Sequence, residues 1–201
     1  HAKAYGLGGE NGSCATIEAL RVFAYGTDSV DTRFYENYYA DTMFDLNGDT
    51  IRLDNGTPLV YLPLEVRLDL SRLPAEKTAG ARMKKYEIDK MGTKDGKLSD
   101  NDIVLFRYAD VLLMRSEAKV RNGENGDEEL NAVRFRVGML PREATLENIL
   151  AERQLELAWE GWRRQDLVRF GKFTRPYTDR PQLPHESNGY TSRRPSGLRK
   201  T

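Results

Sequence analysis

The sequence predicts a mainly α protein with long loops and one or two short β-hairpins. Two observations carry this. Apolar residues recur at helical spacing through 102–170. Glycines and Asn-Gly turn pairs instead crowd the first hundred residues. In that first part a short helix fits Thr16–Ala24. Asn47-Gly48 and Asn55-Gly56, set between Phe44, Ile51, Leu53 and Val60-Tyr61, predict hairpins, because this dipeptide favours the turn that suits strand twist. Asp45-Leu46-Asn47-Gly48-Asp49 begins with the spacing of a calcium loop. Thr50 stands where the loop needs its sixth-position glycine and Gly56 where it needs its twelfth-position carboxylate, so a turn is expected.

Three helices are expected next, at about 102–121, 126–136 and 145–170. The first carries Ile103, Leu105, Tyr108, Val111, Leu112, Met114 and Ala118, expected mostly buried. Asn122–Asn125 link it to the second. The third opens at Thr145, a good N-cap, a few residues after Pro141. Its core stripe is Leu146, Ile149, Leu150, Leu157, Ala158, Gly161 and Val168. On another face Glu152, Glu156 and Glu160 repeat at four-residue spacing, a locally unfavourable stack of like charges. Arg153, Arg163, Arg164 and Arg169 offset part of it, and Arg134 and Arg136 are the expected cations from a neighbour. The resulting ion-pair network is expected to be architecture: Arg107, Asp110, Glu117, Arg134, Arg136, Arg153, Glu156, Glu160, Arg163 and Asp166.

Composition narrows the function. Lys plus Arg and Asp plus Glu number 31 each, so no net field favours nucleic acid or an anionic membrane. The single cysteine, Cys14, excludes an internal disulfide and a multi-cysteine metal site, and reads as a loop or packed thiol. It has no apolar stretch upstream, as a lipid-acylated cysteine would need. No run reaches transmembrane length. Of the two histidines, His1 is terminal and His185 lies in a proline-flanked loop, which argues against a histidine-based catalytic triad or metal helix. The acidic residues near the arginines are expected to stay ionised, unlike the raised-pKa acid of a glycosidase. No metal, cofactor or catalysis is expected.

Three blocks carry a family resemblance. Phe106–Ala118 reads FRYADVLLMRSEA. After a break at Gly123, Leu130–Gly138 reads LNAVRFRVG. Glu152–Lys172 then gives ERQLELAWEGWRRQDLVRFGK. In this order they resemble the C-terminal half of the SusD/RagB family. Asp31-Thr32-Arg33-Phe34 and Lys85-Tyr86 resemble weaker upstream positions, so the likeness spans roughly 28–175. Trp162 stands where that family commonly has histidine or another large residue, and Trp159 and Trp162 are expected to pack. From Thr191 on, the tail departs from the family pattern.

The resemblance implies a tetratricopeptide-like helical scaffold, with the first two helices as one helix-turn-helix unit. It implies three regions: 1–100, loop-rich and on the ligand side; 101–172, the helical signature; and 173–201, a polar, extended tail. The implied function is non-catalytic capture of a nutrient, an oligosaccharide first of all. Capture would occur on the outer face of the outer membrane, for delivery to a TonB-dependent, SusC-like transporter. An export signal and lipid anchor are implied N-terminal to this chain. Sugar faces stack on aromatic rings while hydroxyls need polar partners, and Arg33–Tyr39 offers that mixture. The candidate ligand residues are Tyr35, Asn37, Tyr38, Tyr39 and Tyr61, with Tyr5 and Tyr25 as further loop aromatics, although each of Phe34, Tyr35 and Tyr38 also fits a core position. A peptide-docking module is the competing reading. It predicts exposed non-aromatic helix faces rather than an aromatic shelf, and a glycosidase would instead require a carboxylate pair across a cleft.

Overall fold

The helix Leu146–Glu156 packs against five of the other helices. The computed structural model describes residues 1–6, 13–65, 75–86 and 101–174. In chain order the elements are a 3₁₀ turn at Ala2–Tyr5, α1 (Ile17–Val22), α2 (Arg33–Asn37), β1 (Tyr38–Tyr39), β2 (Asp41–Thr42), β3 (Val60–Tyr61), α3 (Ala75–Thr78) and β4 (Arg82–Met83). The helices α4 (Tyr108–Arg121), α5 (Asp127–Arg136), α6 (Leu146–Glu156) and α7 (Arg163–Arg169) follow. The protein is mainly α, and α4 and α5 form a helix-turn-helix unit, with α6 packed on both.

Side-chain oxygens start two of the helices. Thr16 accepts from the Ala19 N–H at 3.2 Å, and Thr145 accepts from the Asn148 N–H at 3.1 Å. Each satisfies a donor that the first helical turn leaves open. The hairpin signals hold too. At Asn47-Gly48, the Asp45 carboxylate accepts from the N–H groups of Asn47 (2.8 Å) and Asp49 (2.9 Å). The acid thus closes a turn. At Asn55-Gly56, the Leu53 N–H donates to Thr57 O at 2.8 Å. The chain then returns along itself, so that β2 and β3 pair antiparallel with Asp41 opposite Tyr61. In the second ribbon β1 pairs with β4, with Tyr38 opposite Met83.

Three apolar clusters result. Phe23, Phe34, Tyr38, Leu20 and Leu155 bury one beneath α1 and α2. Leu113, Leu130, Val133 and Ile149 fill the seam between α4, α5 and α6. Met43, Leu59 and Tyr61 anchor the hairpins. Ile149 and Leu155 place α6 in two of these clusters at once.

Two expectations fail. The helix predicted from 102 starts at Tyr108, because Arg107 is extended (φ −147°, ψ 159°). Ile103, Leu105 and Tyr108 are 80%, 72% and 74% exposed, and Val111, Met114 and Ala118 are exposed as well. The buried face of α4 is Asp110, Leu113, Ser116 and Glu117: polar partners, not apolar periodicity, decide which side turns inward. The helix predicted over 145–170 is two helices. Trp159 (φ 66°) and Gly161 (φ 81°) take left-handed conformations that a helix cannot continue through. The break rotates Leu167 inward and leaves Val168 exposed. Residues 175–201, including His185 and the tail, lie outside the described residues, as do Gly92 and Gly96.

The α4–α5 turn is built on a close approach at Gly126. A Cβ there would sit 2.7 Å from Ser116 O and 2.8 Å from Ser116 Oγ, while Ser116 Oγ donates to Gly126 O at 2.9 Å. Gly126→Ala is expected to destabilise the protein by about 1–3 kcal/mol through forced helix separation, read by urea unfolding.

Candidate functional site

Between the two helical clusters lies a layer of buried charge. Glu152 and Glu156 are one turn apart on α6 and fully buried, and Glu160 follows in the turn after it, its side chain 1% exposed. Like charges at this spacing repel, so cations must come from elsewhere. They come from four segments. Arg33 on α2 holds Asp31 in a two-pronged pair, Nε at 2.9 Å and Nη2 at 2.7 Å. Its Nη1 lies between Glu152 (2.7 Å) and Glu156 (2.8 Å). From α5, Arg134 reaches Glu152 at 2.6 Å and Arg136 reaches Glu156 at 2.7 Å. Arg107, just before α4, spans Glu156 (2.6 Å) and Glu160 (2.9 Å). Lys85, after β4, pairs with Glu160 and donates to Glu156 O at 3.1 Å.

A second network runs along the other side of α6. Arg153 donates to Asp110 at 2.7 Å and to Asp166 at 2.8 Å, joining α4, α6 and α7. Arg169 links Asp166 to Glu117, both at 2.7 Å, and Arg121 also meets Glu117, at 2.8 Å. Arg163, also singled out in the sequence, meets α6 and α1. It donates to Leu150 O at 3.3 Å and lies 3.6 Å from Glu18 on α1. Glu160 does not pair with Arg164, since the break before α7 separates them; Arg164 lies over the Phe173 ring.

The first network opens to solvent through a polar cleft of about 580 Å³, bordered by α2, Lys84-Lys85-Tyr86, Arg107 and the end of α5. Burial opposes the ionisation of Glu156. Hydrogen bonds from Arg107 and Arg33, with the charges of Arg107 and Arg136, outweigh it and hold the carboxyl at about 2. Burial lowers the Lys85 pKa, and Glu160 only partly offsets this. Glu156 is thus a clamped anion, without the raised pKa of a general acid. Among the described residues, no group of three or more His, Cys, Asp or Glu could hold a metal ion.

The aromatic candidates divide by burial. Tyr38 is core: it stacks on Phe34 (5.2 Å, 21°) and its pKa is pushed up to about 12 by burial. Asn37 is buried and donates to Arg33 O at 2.6 Å. Tyr61 is buried, with its hydroxyl 2.9 Å from the His1 ring, and Tyr39 lies against the same ring at 4.4 Å. Tyr35 alone of the five is well exposed, at 47%. Tyr25 joins it: Phe34 has Tyr25 at 4.4 Å and Tyr35 edge-on at 5.1 Å. The Tyr25 hydroxyl donates to Asp41 at 3.2 Å. Trp159 packs against Tyr38 (5.6 Å), and Trp162 lies beside Phe106 and beneath Arg153.

Sequence reasoning left Asp31, Arg33, Lys85 and Glu152 out of the network. The signal was present: Asp-x-Arg-Phe places a carboxylate two residues from a guanidinium, and three unpartnered glutamates demanded cations.

The SusD family model matches residues 27–196. The starch-binding protein SusD of Bacteroides thetaiotaomicron is 36% identical over 91 residues, covering 44% of this chain and 16% of the relative. The SusD-like protein P38 of Formosa agariphila is likewise 36% identical over 91 residues, covering 37% of this chain and 18% of the relative. The matched stretch is thus under a fifth of the length of either. Among solved structures, surface glycan-binding protein A from Bacteroides thetaiotaomicron aligns over 48% of this chain and 21% of its own, at 32% identity and a TM-score of 0.37.

The depressed carboxyl of Glu156 makes a pH prediction. Its folded value of about 2 lies below the ordinary 4.5, so its stabilisation is complete above about pH 4.5 and drains away as pH falls toward 2. The term is on the order of 3 kcal/mol. Urea unfolding from pH 7 to 2.5 is expected to show this loss. Glu156→Gln should be less stable at pH 7 by roughly 3 kcal/mol and show a flatter acid limb.

Proposed function

Because this chain belongs to the SusD family, we propose that it is part of a non-catalytic glycan-binding protein. The observation that carries the reading is the exposed Tyr35 ring, with the half-buried Tyr25 ring packed on the same Phe34. The two rings flank Phe34, with Asp41 as the polar neighbour of Tyr25. Rings with adjacent hydrogen-bonding groups suit the apolar face and hydroxyl rim of a sugar. The starch-binding relative supports the same ligand class. Of the sequence candidates, Tyr35 is the ligand contact, Tyr39 and Tyr61 belong to a second aromatic group around His1, and Asn37 and Tyr38 support from the core.

In this reading, residues 1–100 form the ligand side and 101–172 the scaffold. The protein acts at the outer surface of the outer membrane, held by a lipid anchor N-terminal to this chain. It hands oligosaccharide to a TonB-dependent, SusC-like transporter. Binding and release suffice, so no bond is broken.

Peptide docking is the second reading, favoured by the exposed Val111 and Met114 on α4. Calorimetric titration of the full-length protein with maltohexaose and laminarihexaose separates the two. Binding that weakens about tenfold or more in a folded Tyr25→Ala/Tyr35→Ala variant is the expected result. Binding unchanged by the variant would place the site elsewhere, and no binding to any sugar would favour peptide docking.

A further inference from the structure

The cleft against α2 keeps unused hydrogen-bond donors on its wall, alongside the exposed Glu36 carboxylate and the unpaired Asn37 Oδ1. A carboxylate offers about four acceptor positions. Glu156 fills them: Oε1 accepts from Arg107 and Arg136, and Oε2 from Arg33 and Arg136. Glu160 is filled by Lys85 and three contacts from Arg107. The cation on the cleft wall is not. Arg136 has five N–H donors but engages Glu156 only through Nη2, and its side chain is 59% exposed. Lys84 donates to Tyr35 O at 2.8 Å and stands 3.8 Å from Glu36, whose own side chain is largely exposed.

The charge balance points the same way. Four buried carboxylates of this network, Asp31, Glu152, Glu156 and Glu160, face five cations: Arg33, Arg134, Arg136, Arg107 and Lys85. At the rim Lys84 adds a positive group and Glu36 a negative one, so the excess of one positive charge stands. A cleft of about 580 Å³ is large enough for a monosaccharide unit. Its Lys84 edge is hydrogen-bonded to the residue that carries the exposed Tyr35 ring.

We infer that this cleft is the subsite for the anionic substituent of an acidic glycan, a sugar carboxylate or sulfate ester, with Arg136 and Lys84 as its ligands. The inference rests on the glycan-binding reading and narrows its ligand class. Arg136 supplies the planar donor fork that fits either oxyanion. Glu156, already saturated, holds Arg136 in place.

The test is calorimetry on the full-length protein with galacturonate hexasaccharide, carrageenan hexasaccharide, and neutral maltohexaose and laminarihexaose, at 20 and 300 mM NaCl. At least one acidic ligand is expected to bind tenfold or more tighter than the neutral ones, with the preference shrinking at high salt. Which acidic ligand wins separates carboxylate from sulfate. Arg136→Gln and Lys84→Gln should each cut acidic binding roughly tenfold and leave neutral binding unchanged. Lys84→Gln lies outside the buried network, so it keeps the test valid if Arg136→Gln unfolds. Equal binding of acidic and neutral ligands, or a preference that survives both substitutions, overturns the inference. If no oligosaccharide binds, the glycan reading fails. The cleft is then decided by sulfate and methyl galacturonide alone, followed by the NMR signal of the Arg136 Nε–H: a shift upholds an anion site, and no shift overturns it.

Discussion

Arg33 holds the molecule together because one guanidinium serves three carboxylates. Asp31 takes two of its nitrogens, and the third lies between Glu152 and Glu156. Without it, Glu152 would keep only Arg134, and Glu156 only Arg107 and Arg136, with no cation between the two anions one turn apart on α6. Burying an unpaired charge costs several kcal/mol, so α6 can enter the core only when α2 and α5 arrive with their arginines. The apolar clusters on either side are modest, and the ionic layer fixes their relative placement. A buried ion pair adds little over a well-packed apolar pair, but losing one partner is costly. The layer therefore selects one arrangement more than it strengthens it.

The same constraint shapes the surface. Arg107 is held extended by Glu156 and Glu160, which stops α4 from starting earlier and leaves Ile103, Leu105 and Phe106 outside. Lys85 is drawn to Glu160. The polar cleft is what remains where these cations converge from different segments. Phe34, one residue from Arg33, carries the Tyr25–Tyr35 pair, so the proposed ligand face and the ionic layer share α2 as their mount.

The helical half was largely legible in the sequence, because Thr145, Gly123 and the apolar spacing of 126–136 are local signals. The Asn-Gly hairpins were legible for the same reason. The start of α4 was not. Ile103 and Leu105 carry apolar side chains whose burial depends on what Arg107 binds, and that partner is about fifty residues away. The break after Glu156 was hidden too, since Trp159 in a left-handed conformation has no sequence signature. The glutamate stack announced that cations were needed and Arg134 and Arg136 were near enough in sequence to name. Arg33 and Lys85 were visible only as family-like dipeptides, with nothing local to say that they reach α6. Among the aromatics, composition could not separate the stacked, buried Tyr38 from the exposed Tyr35 three residues before it.

The central claim is that Arg33 couples the two halves of the chain through α6. A double-mutant cycle on Arg33→Gln and Glu156→Gln, read by urea unfolding, tests it directly. The account predicts a coupling free energy of about 1.5 kcal/mol or more, with the double variant less destabilised than the two single effects combined. Effects that add to within about 0.5 kcal/mol would mean that the two residues act independently, and would contradict it.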